Sequence, residues 1–252
     1  MNTVSSPARD PRPAAESYKE ANEKKYLTTQ ERRKYATQSS KLVKLERFVA
    51  RCRRIVPKVS GKVLDIGGGG GTWTDVLRNA GLVGEVYAID ISPAILKERD
   101  PRDVSVVGDM EHLPFENGFF DAAFFFAALH HVRQTETALS EAHRTVREGG
   151  YLLLYEPFSL RMRLTGRGIE PTPDGVEFCY SFPYVCHALG NTGWKIEKVV
   201  HEGFLRRFLR GGGSVPVVRA LASCEDVINR IPLIRGIAGF FGDNAIIVAR
   251  RV

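Results

Sequence analysis

Val63 to Thr74 reads VLDIGGGGGTWT: a short apolar run, partly β-branched, that reaches Asp65 and Ile66 and then turns through five consecutive glycines. The first half has the composition of a buried strand. Glycine has no Cβ, so the backbone after that strand can take positive φ and approach a ligand closely. A helix starting just beyond would aim its free N–H groups and the positive end of its dipole at the same place. Flexible glycine linkers usually sit between polar segments. This run sits between a buried strand and an amphipathic stretch, the setting of a phosphate or nucleoside site.

The spacing narrows the ligand. A dinucleotide fingerprint, G-x-G-x-x-G, fails at every start, because Gly67 and Gly69 lead to Thr72, Gly68 and Gly70 to Trp73, and Gly69 and Gly71 to Thr74. NAD and a nicotinamide oxidoreductase are disfavoured. A P-loop needs Gly-Lys-Ser/Thr, and no lysine occurs between Lys62 and Lys97. The pattern that fits is D-x-G-x-G-x-G, with Asp65, Gly67, Gly69 and Gly71. In this form the segment resembles motif I of the class I S-adenosylmethionine-dependent methyltransferases.

Four further blocks resemble that family in order and spacing. Gly84 to Ser92, GEVYAIDIS, is an apolar strand with Asp90 at its carboxyl end and Ile91 next to it. Ligands of open α/β sheets bind outside the carboxyl ends of the strands, so an acid there can accept both hydroxyls of a ribose. Val104 to Met110, VSVVGDM, ends in Asp109, which the resemblance assigns to the adenine amino group, with Met110 against the ring. Phe119 to Val132, FFDAAFFFAALHHV, is similar to the fourth strand and its loop, and Glu148 to Pro157, EGGYLLLYEP, to the fifth. The cofactor implied is S-adenosyl-L-methionine, leaving as S-adenosyl-L-homocysteine. Plainer roles stay open. Asp65 also suits backbone N–H groups of a turn, Asp90 the N-cap of a helix from Pro93 to Arg99, Asp109 a cap before His112, and Met110 apolar packing.

Strands are predicted over 62–66, 85–90, 104–107, 121–126 and 150–156, with helices over 72–80, 93–98 and 135–147. A helix from Ser181 to Thr192 and strands Trp194–Glu202 and Asn244–Arg251 close the chain. Strand alternating with helix implies a parallel sheet. The resemblance adds the topology: a Rossmann-like α/β fold with a seven-stranded, mostly parallel sheet in the order 3-2-1-4-5-7-6, helices on both faces, and the last two strands forming an antiparallel hairpin. Residues 1–15 read as a disordered lead-in. Residues 16–57 read as an N-terminal helical lid bearing Tyr18, Tyr26 and Tyr35, 58–202 as the cofactor-binding core, 203–243 as a helical insertion and 244–252 as the last strand. Phe158 to Phe182 and the insertion depart from the minimal domain and flank its substrate side.

The 252 residues suffice for one large domain with one core. Hydrophobic content of 43% and charged content of 26% are those of a soluble globular protein. No run of eighteen apolar residues suggests a transmembrane helix, and the first residues lack the apolar core of a secretory signal. Cys52, Cys179, Cys186 and Cys224 form no C-x-x-C pair, which argues against structural zinc or an iron–sulfur cluster and suits reduced thiols in a cytoplasmic protein. The net charge of +7 belongs to the ends: residues 1–60 carry 15 Lys and Arg against 6 Asp and Glu, 61–202 carry 13 against 20, and 203–252 carry 8 against 3. Basic ends could meet nucleic acid, as in an RNA methyltransferase. The basic residues from Lys41 to Arg54, however, follow helical spacing around Leu42, Leu45, Phe48, Val49 and Cys52, as a solvated helix face does. A peripheral contact with an anionic membrane, through the apolar and arginine-bearing insertion, fits the same charges.

Methyl transfer from a sulfonium is an in-line displacement, so proximity and alignment supply most of the catalysis. A base is needed only when the nucleophile arrives protonated. His130 and His131 follow the fourth strand, and an ordinary imidazole titrates near neutrality. Glu156, at the end of the fifth strand, could orient one of them or accept a substrate hydroxyl. Either histidine could instead cap or pack in the loop. No N/D/S-P-P-Y/F follows the fourth strand, no Pro-Cys nucleophile is present, and Ala127 to Val132 offers no carboxylate of the kind metal-dependent catechol-type enzymes use. No metal is expected. What remains is a small-molecule O-, N- or C-methyltransferase of the type-11 group, with a small-molecule or lipid- or glycan-linked acceptor. Its rival of another class is a catalytically idle cofactor-binding module that serves a partner.

Overall fold

The computed structural model describes residues 39–166, 168–173, 177–202 and 244–252, together with Ala220, Ser223, Cys224, Val227 and Ile231. The expected lead-in, the lid as far as residue 38 with its three tyrosines, and nearly all of the 203–243 insertion lie outside the described residues.

The elements run α1 (Ser39–Ile55), β1 (Val59–Ile66), α2 (Thr72–Asn79), β2 (Val83–Asp90), α3 (Pro93–Leu96), β3 (Val104–Val107) and β4 (Phe120–Phe126). A single 3-10 turn, Leu129–His131, leads to α4 (Thr135–Thr145), β5 (Val146–Pro157) and α5 (Leu160–Leu164). Then come β6 (Ile169–Pro171), β7 (Phe178–Tyr180), α6 (Phe182–Asn191), β8 (Trp194–Glu202) and β9 (Asn244–Arg251). Seven strands form one sheet in the order β3-β2-β1-β4-β5-β9-β8, with β6 and β7 as a separate hairpin. The first five are parallel, and β9 and β8 are antiparallel. Counted within the sheet, this is the expected 3-2-1-4-5-7-6 order.

The central strand β4, FDAAFFF, is apolar after its second residue because both of its faces are covered. Ala123 and Phe125 face α4 and α6 through Ala138, Leu139, Ala142, Val185 and Leu189. Ala122, Phe124 and Phe126 join Phe48 and Cys52 of α1 and Leu77 of α2. Helices thus cover both faces, and the ring of Phe48 packs 4.8 Å from Trp73 and 5.2 Å from Tyr155.

Several bounds differ from the sequence expectation: β1 and β2 begin earlier, at Val59 and Val83, and α3 ends at Leu96. Helix α4 stops at Thr145 instead of 147, and β5 starts at Val146 instead of 150, because buried Val146 pairs with Phe120 across an irregularity in the ladder. Gly149, at φ +70°, makes that irregularity within the strand. The segment after β5 also contains the hairpin of β6 and β7, whose register pairs Ile169 with Tyr180 and turns the chain back toward the carboxyl ends of β4 and β5.

The strand order reverses between β1 and β4, so a crevice opens outside their carboxyl ends. The glycine run after β1 and the Ala127–Val132 loop after β4 both lie there.

Candidate active site

Gly67, Gly69 and Gly71 have φ of +62°, +50° and +80°, so the three glycines of the D-x-G-x-G-x-G spacing are the ones in the left-handed region. The turn is closed by backbone bonds from Gly67 N–H to Ile89 O (2.8 Å) and from Gly71 N–H to Gly68 O (3.0 Å). Gly71 occupies the N-cap of α2 and supplies no capping side chain. Close approach adds a second demand. A Cβ on Gly67 would lie 2.8 Å from Ala128 Cβ and 2.9 Å from Met110 Cε, and one on Gly68 would collide with the Asp65 carboxylate.

Asp65 is 1% exposed and lies beneath the loop. Its Oδ2 accepts from Arg99 Nη2 at 2.9 Å and from the Thr74 hydroxyl. Arg99 also reaches Gly69 O at 3.2 Å and Asp103 at 2.9 Å. The other oxygen of Asp65, Oδ1, is buried with no hydrogen-bond partner. Asp65 therefore acts on the loop from below, with one acceptor unspent.

Asp90 stands at the end of β2, half-buried. Its Oδ2 accepts from Gly69 N–H (3.0 Å) and its Oδ1 from Ser92 N–H (2.9 Å), so it ties the second strand end to the glycine loop and also initiates the turn into α3. Ile91, next in the chain, is half-buried. Asp109 accepts from Glu111 N–H at 3.0 Å, and its own carbonyl accepts from His112 N–H at 3.0 Å, the capping role noted from the sequence. Met110 reaches back to Gly67, so the three strand ends are in mutual contact.

Across the crevice, Glu156 is fully buried. Its Oε1 accepts from the backbone N–H groups of Ala128 (2.7 Å) and Leu129 (2.9 Å), and its Oε2 meets His130 Nδ1 at 2.8 Å and the Tyr180 hydroxyl at 3.3 Å. A carboxylate accepts, so His130 carries a proton on Nδ1 and donates it to Glu156. Burial, and then the Glu156 charge, push the Tyr180 phenol well above its ordinary value and keep it a donor. The His131 ring lies beside that of His130, centroids 4.1 Å apart.

The structure thus brings Asp65, Gly67, Gly69, Gly71, Asp90, Asp109 and Met110 around the loop and His130, His131 and Glu156 around the end of β4, with Ala128 against Gly67 joining the halves. Sequence reasoning missed three participants. Arg99 and Tyr180 come from distant segments with no local mark. Ala127 has φ +52°, uncommon for a residue with a Cβ, and its N–H donates to Tyr155 O at 2.8 Å. An alanine gives no sign of such a conformation in advance.

Residues 64–154 match the model of a family described as methyltransferase domain. The ubiquinone/menaquinone biosynthesis C-methyltransferase UbiE of Ralstonia pickettii is 36% identical over 103 residues, 38% of this chain and 42% of that protein. The chain therefore spans less than half the length of that relative. Among solved structures, an S-adenosylmethionine-dependent methyltransferase from Mesorhizobium loti aligns with a TM-score of 0.59 at 20% identity, over 80% of this chain and 96% of that one. The Burkholderia thailandensis 1,6-didemethyltoxoflavin-N1-methyltransferase, solved with 1,6-didemethyltoxoflavin and S-adenosylhomocysteine, aligns with 0.62 at 15%, over 98% and 94%. These two likenesses concern the fold. Residues 64–154 thus match the methyltransferase domain model, and the chain has the fold of S-adenosylmethionine-dependent methyltransferases of known structure.

Proposed function

We propose that this chain transfers a methyl group from S-adenosyl-L-methionine to an O, N or C atom of a small-molecule or lipid- or glycan-linked metabolite. The observation that carries the reading is the cradle itself: three positive-φ glycines at the topological switch point, tied to the acid at the next strand end. The residues fit the cofactor on two counts. A side chain at Gly67 would press on Ala128 and Met110 and narrow the cradle, and the buried Asp65 Oδ1 leaves an acceptor unspent beneath it.

In this reading Gly67, Gly69 and Gly71 admit the ligand to the backbone, Asp90 accepts from the ribose hydroxyls with Ile91 beside it, and Asp109 and Met110 hold the adenine. Bound cofactor supplies an electrophilic methyl on a sulfonium, an excellent leaving group. The chain's own task is to align the acceptor and exclude water. Glu156 fixes the His130 tautomer, so Nε2 presents a basic lone pair on the acceptor side, with His131 next to it. The name of the Ralstonia relative favours a carbon of a quinone-type ring as acceptor atom. Such a ring carbon becomes nucleophilic when a ring hydroxyl gives up its proton, and a basic group at that position assists the step. A cytoplasmic site of action belongs to the same proposal and is supported by the sequence, whose four cysteines form no C-x-x-C pair. No helix among the described residues is long and apolar enough to cross a membrane.

Calorimetric titration with S-adenosylmethionine, S-adenosylhomocysteine and NAD tests the reading. Micromolar binding of both sulfur nucleosides and none of NAD is the expected result, followed by turnover in a screen of phenolic and quinone-type acceptors. Silence from both sulfur nucleosides would overturn it, and binding without turnover on any acceptor would favour an idle module. Asp90→Ala should weaken binding by about 1–3 kcal/mol, the cost of a lost hydrogen-bonding carboxylate.

A further inference from the structure

The loop after β4 holds two histidines and no carboxylate, but the fold delivers one. Glu177 stands just before β7, with its backbone fixed by Thr172: Glu177 N–H donates to Thr172 Oγ1 at 3.1 Å, and Thr172 N–H donates to Glu177 O at 2.8 Å. The hairpin then runs to Tyr180, whose hydroxyl is anchored on Glu156. As a result one ligand atom from each of His130, His131 and Glu177 lies within 4.8 Å of the other two, and all three residues are half-buried.

We infer that His130, His131 and Glu177 form a site for a divalent transition-metal cation, with zinc the first choice. Two imidazoles and one carboxylate are a donor set that binds such ions and leaves coordination positions open. A second feature points the same way. His130 already gives its Nδ1 proton to Glu156 at 2.8 Å, the carboxylate–histidine arrangement that fixes the tautomer and makes Nε2 a better ligand. Ligands on one tetrahedral zinc stand about 3.4 Å apart, which follows from bonds of about 2.1 Å. Side-chain rotations of about an ångström would therefore close the cluster. Hard oxygen-seeking ions such as Mg2+ are the poorer match, because two of the three donors are nitrogens.

Cation binding stands on this geometry alone; its use in the reaction rests on the methyltransferase reading. A cation with open positions would take an acceptor hydroxyl or carbonyl oxygen as a ligand and lower the hydroxyl's pKa. The proton released from the acceptor would pass to solvent, with His130 Nε2 held by the ion in the loaded protein and acting on the acceptor directly only in the metal-free one. The cofactor cradle across the crevice would be unaffected.

The test uses the full chain freed of metal by chelator and dialysis. It is titrated calorimetrically with Zn2+ and, in parallel, followed by visible absorption on adding Co2+. One equivalent of zinc should bind, with the cobalt spectrum of an ordered nitrogen and oxygen site. Glu177→Gln and His131→Ala should each lower zinc affinity at least tenfold and alter the cobalt bands. S-adenosylhomocysteine binding, measured on the same samples, should stay unchanged in both variants and reports that they are folded. Absence of zinc binding to the folded wild-type chain would overturn the site, as would binding that survives both substitutions. Zinc binding without any binding of S-adenosylhomocysteine would uphold the metal site and sink the methyltransferase reading, so the two failures are distinguishable.

Discussion

Arg99 donates to Asp65 across 2.9 Å from 34 residues further along the chain, and both side chains are 1% exposed. The same guanidinium reaches the carbonyl of Gly69, so one cation holds the acid under the glycine loop and the loop itself. Removing one partner of a buried ion pair leaves an uncompensated charge, at a cost of about 3–5 kcal/mol. Arg99→Met should lower stability by about that amount in urea unfolding, and weaken S-adenosylhomocysteine binding as the loop loses its support. The double variant Asp65→Asn with Arg99→Met should recover much of the stability and little of the affinity. An unchanged unfolding midpoint in the single variant would show that Asp65 is satisfied without Arg99.

Gly67 and Gly70 lie in the same five-glycine run and should respond differently to alanine. Gly67 has φ +62°, and its added Cβ would press on Ala128 and Met110. Gly70 has no positive φ, and its added Cβ would meet only Glu98, at 3.7 Å, an ordinary contact. Gly67→Ala therefore combines backbone strain with overpacking and should cost about 2 kcal/mol or more, together with most of the cofactor affinity. Gly70→Ala should change the melting temperature little, and equal damage from the two would refute the account of the loop.

What was legible in the sequence is what chain-neighbour spacing controls. The glycines that needed positive φ are those of the D-x-G-x-G-x-G pattern, and β3, β8 and β9 begin and end where their apolar runs do. Phe48 and Cys52, picked out by helical spacing, are fully buried on the sheet. What could not be read depends on contacts between distant segments. Arg99 resembles its charged neighbours Lys97, Glu98 and Asp100 until the fold closes over it. Glu177 and Tyr180 lie on a hairpin whose strands have three residues each, too short for a periodicity to show. Gly149 and Gly150 suggest a turn before β5, whereas buried pairing of Val146 with Phe120 carries the strand through them.

Glu156 serves backbone and side chain at once, and a substitution can separate the two. In Glu156→Gln one oxygen can still accept from Ala128 and Leu129, but the amide N–H cannot accept from His130 Nδ1. The imidazole would then turn or change tautomer, and Nε2 would lose its lone pair on the acceptor side. Turnover should fall by about 10–100-fold, the range found for carboxylates behind functional histidines. Binding of S-adenosylhomocysteine should be retained. Unchanged turnover over the whole pH range would remove Glu156 and His130 from the chemistry.

His143 lies far from this chemistry, near the end of α4, with its ring 5.3 Å from that of Trp194. Burial, reinforced by the Arg251 cation, holds its imidazole below the ordinary value of 6.5. The unfolded chain therefore takes up this proton at a higher pH than the folded protein does. The stability due to neutral His143 is fully present above about pH 6.5 and is lost as pH falls from there toward the lowered folded value. Glu141 also contributes stability that acid removes, because its bond to Arg144, helped by Leu113 N–H, lowers its carboxyl. That loss begins only as pH falls through the ordinary carboxylate range, near 4.5, so the two losses begin at different pH. Melting temperatures should run parallel in His143→Gln and the parent above about pH 6.5, and should fall less steeply in His143→Gln as pH drops below it. Parallel profiles from pH 7 downward would mean that His143 does not titrate differently in the folded and unfolded states.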